Sequence, residues 1–488
     1  MYQFLKQYVG YSLGIALSRL LAFLLIPIYT RFFTPSDYGT LDVLLAFSTF
    51  VQPLMLCGVD TAVQILFFNS QKMKNDQQEW QSELVITCIT LVAVVSIVLI
   101  GLGILASGPI SKLLLNSTQH ENVLRLLLAD TGLIGILSIC QNSLRLKHKT
   151  LHYNMIVLGQ ILLTGTLNII NIVVLQMGIY GFALGVFISD ICVVTVSLAV
   201  LFAGHRALPR FAMSRSILKL GLSVVPTSLA FWVLSSSDRI FLAQYSSLNE
   251  VGIYGLANRL ATAIAIFTLA IQIGWRPYAL SIQMAPHAKS LYAKVSIYYL
   301  AGVGMLGLLF ASISPLLIQV FSVPAYAKAV EVLPLLIYAQ LLYGSYYIVS
   351  IGLLIVRRTQ LLNWMIGLAM LINVSLNFLL IPKFGALGAA TSTAVAYGVG
   401  ALGVAIVGQH YYPLDYKVGK TIIIFAVIIA SYVLMTLRLH MNQDFSYINC
   451  AIVICCSSAL ILVMRYELWH AWQTLVQLSH KKRTNLVL

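Results

Sequence analysis

Apolar runs of about 20 residues recur along the whole chain, separated by short polar turns. Each run is long enough to cross a hydrocarbon layer of roughly 30 Å as a helix. About fourteen are readable, at 8–31, 41–68, 83–106, 123–144, 152–176, 179–203, 216–241, 250–274, 294–322, 331–356, 360–381, 386–408, 418–438 and 447–465. The alternating segments of about ten residues that build an outer-membrane barrel are missing. No connection is large enough to hold a soluble domain. The pattern therefore predicts an all-α integral membrane protein of about 14 transmembrane helices. The opening "MYQFLKQYVG" runs into the first span with no small-residue cleavage site, which predicts a retained helix rather than a removed signal peptide.

The pattern also repeats. "FFTPSDYGTLDVLLAF" follows span 1 and "YSSLNEVGIYGLANRLATAI" follows span 7; both are polar turns leading through Tyr-Gly into a new helix. Span 5 with its turn, "LNIINIVVLQMGIYGFALG", matches span 11 with its turn, "INVSLNFLLIPKFGALGAA". Each carries two asparagines (Asn168 and Asn171; Asn373 and Asn377) before a G-x-x-G turn. The offset, about 206–216 residues, equals six spans, an even number, so the two halves share one orientation about an axis along the membrane normal. The expected organisation is a six-helix lobe at 1–205, a second at 206–410, and a terminal helix pair with a tail at 411–488. A substrate site is expected in a central cavity between parallel-related lobes.

Composition agrees. Hydrophobic residues make up 59% and charged residues 9%, against about 25% charged in soluble domains; the mean hydropathy is +0.90. The net charge of +15 invites a nucleic-acid reading, but the distribution opposes it. Of the 30 Lys and Arg, twenty-one fall on loops on the N-terminal side, seven on the opposite side, and Arg19 and Arg259 lie inside spans. Positive loops stay cytoplasmic, so both termini are expected in the cytoplasm and the basic excess is topological. The seven cysteines all sit in apolar runs and form no disulfide or metal-ligand framework.

Charge inside the spans is the main functional signal. Arg19 sits near the middle of span 1, where an arginine costs about 2.5–3.5 kcal/mol on insertion scales. Asp42 and Asp60 lie in span 2, Asp130 in span 4, Asp190 in span 6, Asp238 and Arg239 at the end of span 7, and Arg259 in span 8. A guanidinium presents a fork of donors that matches phosphate oxygens, so Arg19, Arg259 and Arg239 are candidates to attract an anionic substrate. The competing reading has each arginine paired with a nearby aspartate, stitching helices together, and adjacent Asp238 and Arg239 fit that interfacial role. Asp60, Asn168, Asn171, Asn373 and Asn377 are further cavity candidates, with interhelical hydrogen bonding as the alternative for the asparagines. Pro27, Pro53 and Pro226 are hinge candidates, since transmembrane proline bends helices. No catalytic constellation, metal cluster or nucleotide-binding Gly-rich loop is visible, so neither an enzyme nor a cofactor is expected. Energy would come from a proton or sodium gradient, the membrane potential or consumption of substrate on the far side.

"LKLGLSVVPTSLAFWVLSSSDRIFLAQYSSLNEVGIYGLANRLA" (218–261), "RFFTPSDYGTLDVLLAFSTF" (31–50), "WRPYALS" (275–281) and "LNFLLIPKFGALGAATSTAVAY" (376–397) resemble the Wzx-type polysaccharide flippases of O-antigen and capsule synthesis. These belong to the multidrug/oligosaccharidyl-lipid/polysaccharide exporter superfamily. The resemblance implies alternating access and a substrate of oligosaccharide repeat units on undecaprenyl pyrophosphate, moved to the outer leaflet for lipopolysaccharide or capsule assembly. It implies the bacterial cytoplasmic (inner) membrane as location, membrane lipids as surroundings, and a polysaccharide polymerase or ligase as partner. Arg19 matches the basic position in the relatives' first helix. The rivals are an ion-coupled multidrug antiporter of the same superfamily, in which Asp60 or Asp190 would serve coupling, and a flippase for the peptidoglycan-precursor lipid.

Overall fold

The computed structural model describes residues 14, 17–69, 77–203, 208–440, 455–458, 460 and 462. Among these the regular elements are helices, and each apolar run within the described residues is helical. Among the described residues eight helices are long and apolar enough to cross a membrane, nine if the bent pair Phe211–Leu222 and Val225–Tyr245 counts as one span. Thr359–Tyr411, at 53 residues, covers runs 11 and 12 and is bent at Gly385. The chain is a multi-pass membrane protein. The start of the first run, most of 447–465 and the basic tail lie outside the described residues.

Several runs are broken rather than continuous, and prolines mark the breaks. The first run turns at Leu25 and restarts as Ile26–Phe32, with Pro27 in its first turn. The seventh restarts as Val225–Tyr245, with Pro226 in its first turn, at 43° to the preceding segment. Proline suits a helix start because its missing N–H has no intrahelical acceptor there. Pro53 lies inside Pro35–Leu56, one turn before that helix ends at a left-handed Cys57 (φ 47°). The start of Pro35–Leu56 is a full capping box: the Thr34 hydroxyl accepts from the Asp37 amide and Asp37 accepts from the Thr34 amide. Thr34→Ala is expected to cost about 1 kcal/mol, read as a small loss in thermal midpoint without loss of yield.

The chain forms two compact units. Unit 1 comprises Met1–Leu260, Ile318–Val332 and Asn363–Ala396; unit 2 comprises Ala261–Leu317, Leu333–Leu362 and Tyr397–Leu488. In unit 2 the Ala288–Ser312 helix packs on Val418–His440, and the Arg276 guanidinium lies 5.1 Å from the centre of the Tyr347 ring. In unit 1 the Glu121–Leu146 helix packs on Gly178–Phe202 and Gln77–Leu105, while Pro35–Leu56 packs on Val225–Tyr245.

The two G-x-x-G turns share a backbone feature. Gly178 (φ 56°) and Gly385 (φ 52°) both occupy the left-handed region, where an L side chain is strained. At the second turn Glu250 accepts a hydrogen bond from the Ala386 amide (3.0 Å). The two segments that carry the repeated Tyr-Gly also meet in unit 1. A Cβ on Gly39 would lie 1.8 Å from the Leu248 carbonyl oxygen, and one on Gly252 would lie 1.9 Å from that of Pro35. Backbone therefore touches backbone where Pro35–Leu56 crosses Leu248–Ser281.

Candidate functional site

The glycine crossing brings Tyr38 and Asp42 of one repeat against Gly255 and Arg259 of the other. Asp42 is buried and points at Gly255, where a Cβ would lie 2.7 Å from its Oδ2. That carboxylate holds two guanidiniums. Arg239 Nε meets Oδ2 at 3.0 Å, and Arg259 Nη2 approaches Oδ1 at 3.6 Å. Arg239 also donates to the Ser235 carbonyl and lies 5.6 Å from the centre of the Tyr254 ring. Arg259 lies 4.9 Å from the centre of the Tyr38 ring. A guanidinium over an aromatic face is held without consuming its in-plane donors.

The two arginines differ in access. The Arg239 side chain is 11% exposed and that of Arg259 is 30% exposed. Arg239 is the more enclosed partner of Asp42, whereas Arg259 contacts Asp42 and Tyr38 and is partly exposed. Tyr38 is itself braced edge-on by Tyr326, whose hydroxyl donates to the Phe33 carbonyl (2.9 Å).

Asp238 does not pair with its neighbour Arg239. Adjacent helical residues point about 100° apart, and Asp238 turns instead into a buried neutral network. It accepts from the Tyr254 hydroxyl (2.6 Å), the Thr393 hydroxyl (2.7 Å) and Asn377 Nδ2 (2.8 Å). Asn377 Nδ2 also reaches Asn373 Oδ1 at 3.2 Å. Tyr254 thus links the two clusters, its ring beside Arg239 and its hydroxyl on Asp238.

Arg239 and Arg259 are brought together on Asp42, and Asn373 and Asn377 are brought to Asp238. Arg19 is exposed on the helical segment at 17–24, and Asp60 is half-buried in the first turn of Val59–Asn69. Asn168 is fully buried and donates to the Tyr29 hydroxyl (3.0 Å); Asn171 donates to the Gly181 carbonyl (2.9 Å) at the first G-x-x-G turn. Tyr38, Tyr254 and Thr393 escaped the sequence reading. The two tyrosines could have been found, because each precedes the glycine of the repeated Tyr-Gly turn.

The family model for "Polysaccharide biosynthesis protein" matches residues 4–278. The chain belongs to that family. The matched stretch contains Arg19, Asp42, Asp238, Arg239 and Arg259. No curated protein matches the sequence. Among solved structures, "Lipid II flippase MurJ, inward closed conformation" aligns with a TM-score of 0.72 at 14% identity, covering 94% of this chain and 100% of that one. The MATE transporter VcmN of Vibrio cholerae, solved as a point mutant, gives 0.60 at 13% identity, covering 83% and 96%. A MOP-superfamily transporter of Pyrococcus furiosus, described as having a binding pocket of reverse polarity, gives 0.55 at 15%, covering 83% and 95%. At these identities the likeness is one of fold, and the family member carries a transporter fold.

Proposed function

We propose that the protein flips undecaprenyl-pyrophosphate-linked oligosaccharide repeat units from the cytoplasmic to the outer leaflet of a bacterial inner membrane, by alternating access, for cell-surface polysaccharide synthesis. Both termini would be cytoplasmic, in keeping with the placement of basic loops. The observation that carries the reading is Arg259, an anchored, 30%-exposed guanidinium inside an apolar helix bundle. A pyrophosphate needs a fixed cation where water is scarce, since moving it through hydrocarbon unaided is prohibitive. Asp42 and the Tyr38 face hold the arginine in place, and a guanidinium is the side chain whose donor fork matches phosphate oxygens. Arg19, exposed on the first helical segment, is proposed as a second cation for the same head group.

The organisation as lobes at 1–205 and 206–410 with a terminal pair belongs to this proposal, as do hinge roles for Pro27, Pro53 and Pro226. Pro27 and Pro226 support it by lying where the first and seventh runs restart. Two relatives by fold, a lipid II flippase and a MATE transporter, bracket the lipid and drug readings. The arginines favour an anionic cargo over the cationic organic molecules of the drug reading.

The reading is tested by reconstituting the protein in vesicles and following two fluorescent lipids with one oligosaccharide, joined through pyrophosphate or through an uncharged linker. The pyrophosphate lipid is expected to cross at least tenfold faster with protein than without, corresponding to roughly 1.4 kcal/mol or more, and the uncharged lipid to gain little. Equal acceleration of both would remove the anion from the account.

A further inference from the structure

Unit 2 contains a guanidinium of its own, in the motif "WRPYALS", that the site on Asp42 does not use. Arg276 lies near the end of Leu248–Ser281, and its guanidinium rests 5.1 Å from the centre of the Tyr347 ring. Tyr347, on Ala329–Val349, is the middle of a tyrosine wall. The Tyr343 and Tyr347 hydroxyls, about one helical turn apart, are hydrogen-bonded at 2.9 Å. Tyr346 meets Tyr347 edge-on at 5.6 Å between ring centres, and Tyr397, on Thr359–Tyr411, meets Tyr343 at 5.1 Å. The wall is positioned from behind by Tyr299, on Ala288–Ser312. The Tyr299 hydroxyl donates to the Leu341 carbonyl (3.3 Å) and lies 3.2 Å from the Thr268 hydroxyl, and a Cβ on Gly344 would overlap it. These contacts tie the helix that carries Tyr343 and Tyr347 to the helix that carries Arg276.

Arg276 has no counter-charge among the described residues. Its Nε is enclosed and meets no acceptor there, and the guanidinium forms no ion pair there. Unit 2 offers little to pair with, since its carboxylates are Asp415, Asp444 and Glu467. Asp444 and Glu467 lie outside the described residues, and Asp415 is exposed in the connection before Val418–His440. A partly enclosed cation without a counter-charge is costly until an anion joins it. Arg276, Tyr343, Tyr347 and Tyr397 are each half-buried, which leaves an open side for that anion.

We propose that Arg276, Tyr343, Tyr347 and Tyr397 form a subsite for an acidic sugar, a hexuronate ring within the oligosaccharide. A pyranose presents a face of C–H groups and a rim of hydroxyls. Tyrosine rings answer with flat apolar surface that ends in a hydroxyl. The guanidinium supplies the donor fork that a carboxylate accepts. One cation matches one carboxylate, whereas a pyrophosphate carries more charge than a single arginine neutralises; the wall therefore suits a carboxylated sugar better than the head group. Hydrocarbon on the open side would leave the guanidinium and hydroxyls unsatisfied, so that side faces water or cargo. The tyrosines lie beyond residues 4–278, so the family match assigns them no role. The subsite deepens the oligosaccharide reading above and rests on it for its use in transport.

The test is equilibrium binding to the full-length protein in lipid nanodiscs, with lipid-free probes so that no transport is needed. The probes are short oligosaccharides containing one glucuronate or one galacturonate, their neutral glucose and galactose counterparts, and inorganic pyrophosphate. At least one acidic probe is expected to bind about tenfold or more tightly than its neutral counterpart, with a preference that salt weakens. Arg276→Ala should abolish that preference and Arg276→Lys should restore part of it. Tyr397→Ala should weaken acidic and neutral probes alike. Equal affinity for acidic and neutral probes in wild type, or a preference that survives Arg276→Ala, overturns the proposal. Displacement of the acidic probe by pyrophosphate at equal or lower concentration also overturns it and assigns Arg276 to the head group. If Arg276→Ala does not fold, photolabelling of wild type decides. An acidic probe bearing a diazirine should label peptides that contain Tyr343, Tyr347 or Tyr397, and labelling confined to other peptides overturns the subsite. If no lipid crosses in the vesicle assay while the acidic preference holds, the transport reading fails and the subsite stands.

Discussion

Asp42→Asn is expected to destabilise the protein by about 3–5 kcal/mol, the cost of removing one partner from a buried ion pair. Asp42 is buried, and the Arg239 side chain that meets it at 3.0 Å is only 11% exposed. Without the carboxylate, Arg239 keeps the Ser235 carbonyl and the Tyr254 face but loses its counter-charge, and Arg259 loses its anchor. The variant should give low yield and a thermal midpoint well below wild type in detergent. Arg259→Ala removes the more exposed partner and is expected to cost less than Asp42→Asn, because Arg239 still neutralises the carboxylate. The comparison separates scaffold from function: Asp42→Asn should lower both stability and transport, whereas Arg259→Ala should spare the fold and lower transport. Equal melting of wild type and Asp42→Asn would show that the ion pair contributes little to holding these helices.

Gly252→Ala is expected to be as damaging, for steric rather than electrostatic reasons. A Cβ there would lie 1.9 Å from the Pro35 carbonyl oxygen, and Gly39→Ala meets the Leu248 carbonyl at 1.8 Å. Both obstructions are backbone atoms in regular helix starts and cannot rotate aside as a side chain can. Overpacking costs typically 1–3 kcal/mol where side chains can give way, so these sites should reach or exceed the upper end. Separating the helices also pulls Arg259 from Asp42, so transport should fall with stability. Gly101→Ala, with open space around its Cβ, is the matched control and should melt within about 1 kcal/mol of wild type. If Gly252→Ala behaves like the control, the close crossing does not exist in the membrane.

The helical, multi-pass character was legible because lipid demands long apolar runs whatever their partners. The repeated segments were legible too, and they meet, with Gly39 of the first and Gly252 of the second at the crossing. The role of Asp42 was not. Its partners lie 197 and 217 residues later, at Arg239 and Arg259, and nothing local announces them. Adjacency suggested Asp238 for Arg239, but helix geometry directs neighbours to different faces, and the polar network around Asp238 closes through Asn377 and Thr393 on a distant helix. Arg19 drew notice because it interrupts an apolar run, a signal of cost that does not reveal partners. Arg259 needed the fold to show that it is both anchored and accessible.

The most direct measurement is the initial rate of transbilayer movement of a fluorescent undecaprenyl-pyrophosphate oligosaccharide in vesicles holding equal amounts of folded wild type, Arg259→Ala or Arg259→Lys. A fixed guanidinium acting on the pyrophosphate predicts a drop of tenfold or more for Arg259→Ala, roughly 1.4 kcal/mol or more of lost stabilisation. Arg259→Lys should recover part of the rate, since charge survives without the bidentate fork. Movement at the wild-type rate in both variants, with Arg19→Ala alone impaired, would contradict the account and transfer the anion-binding role to the first helix.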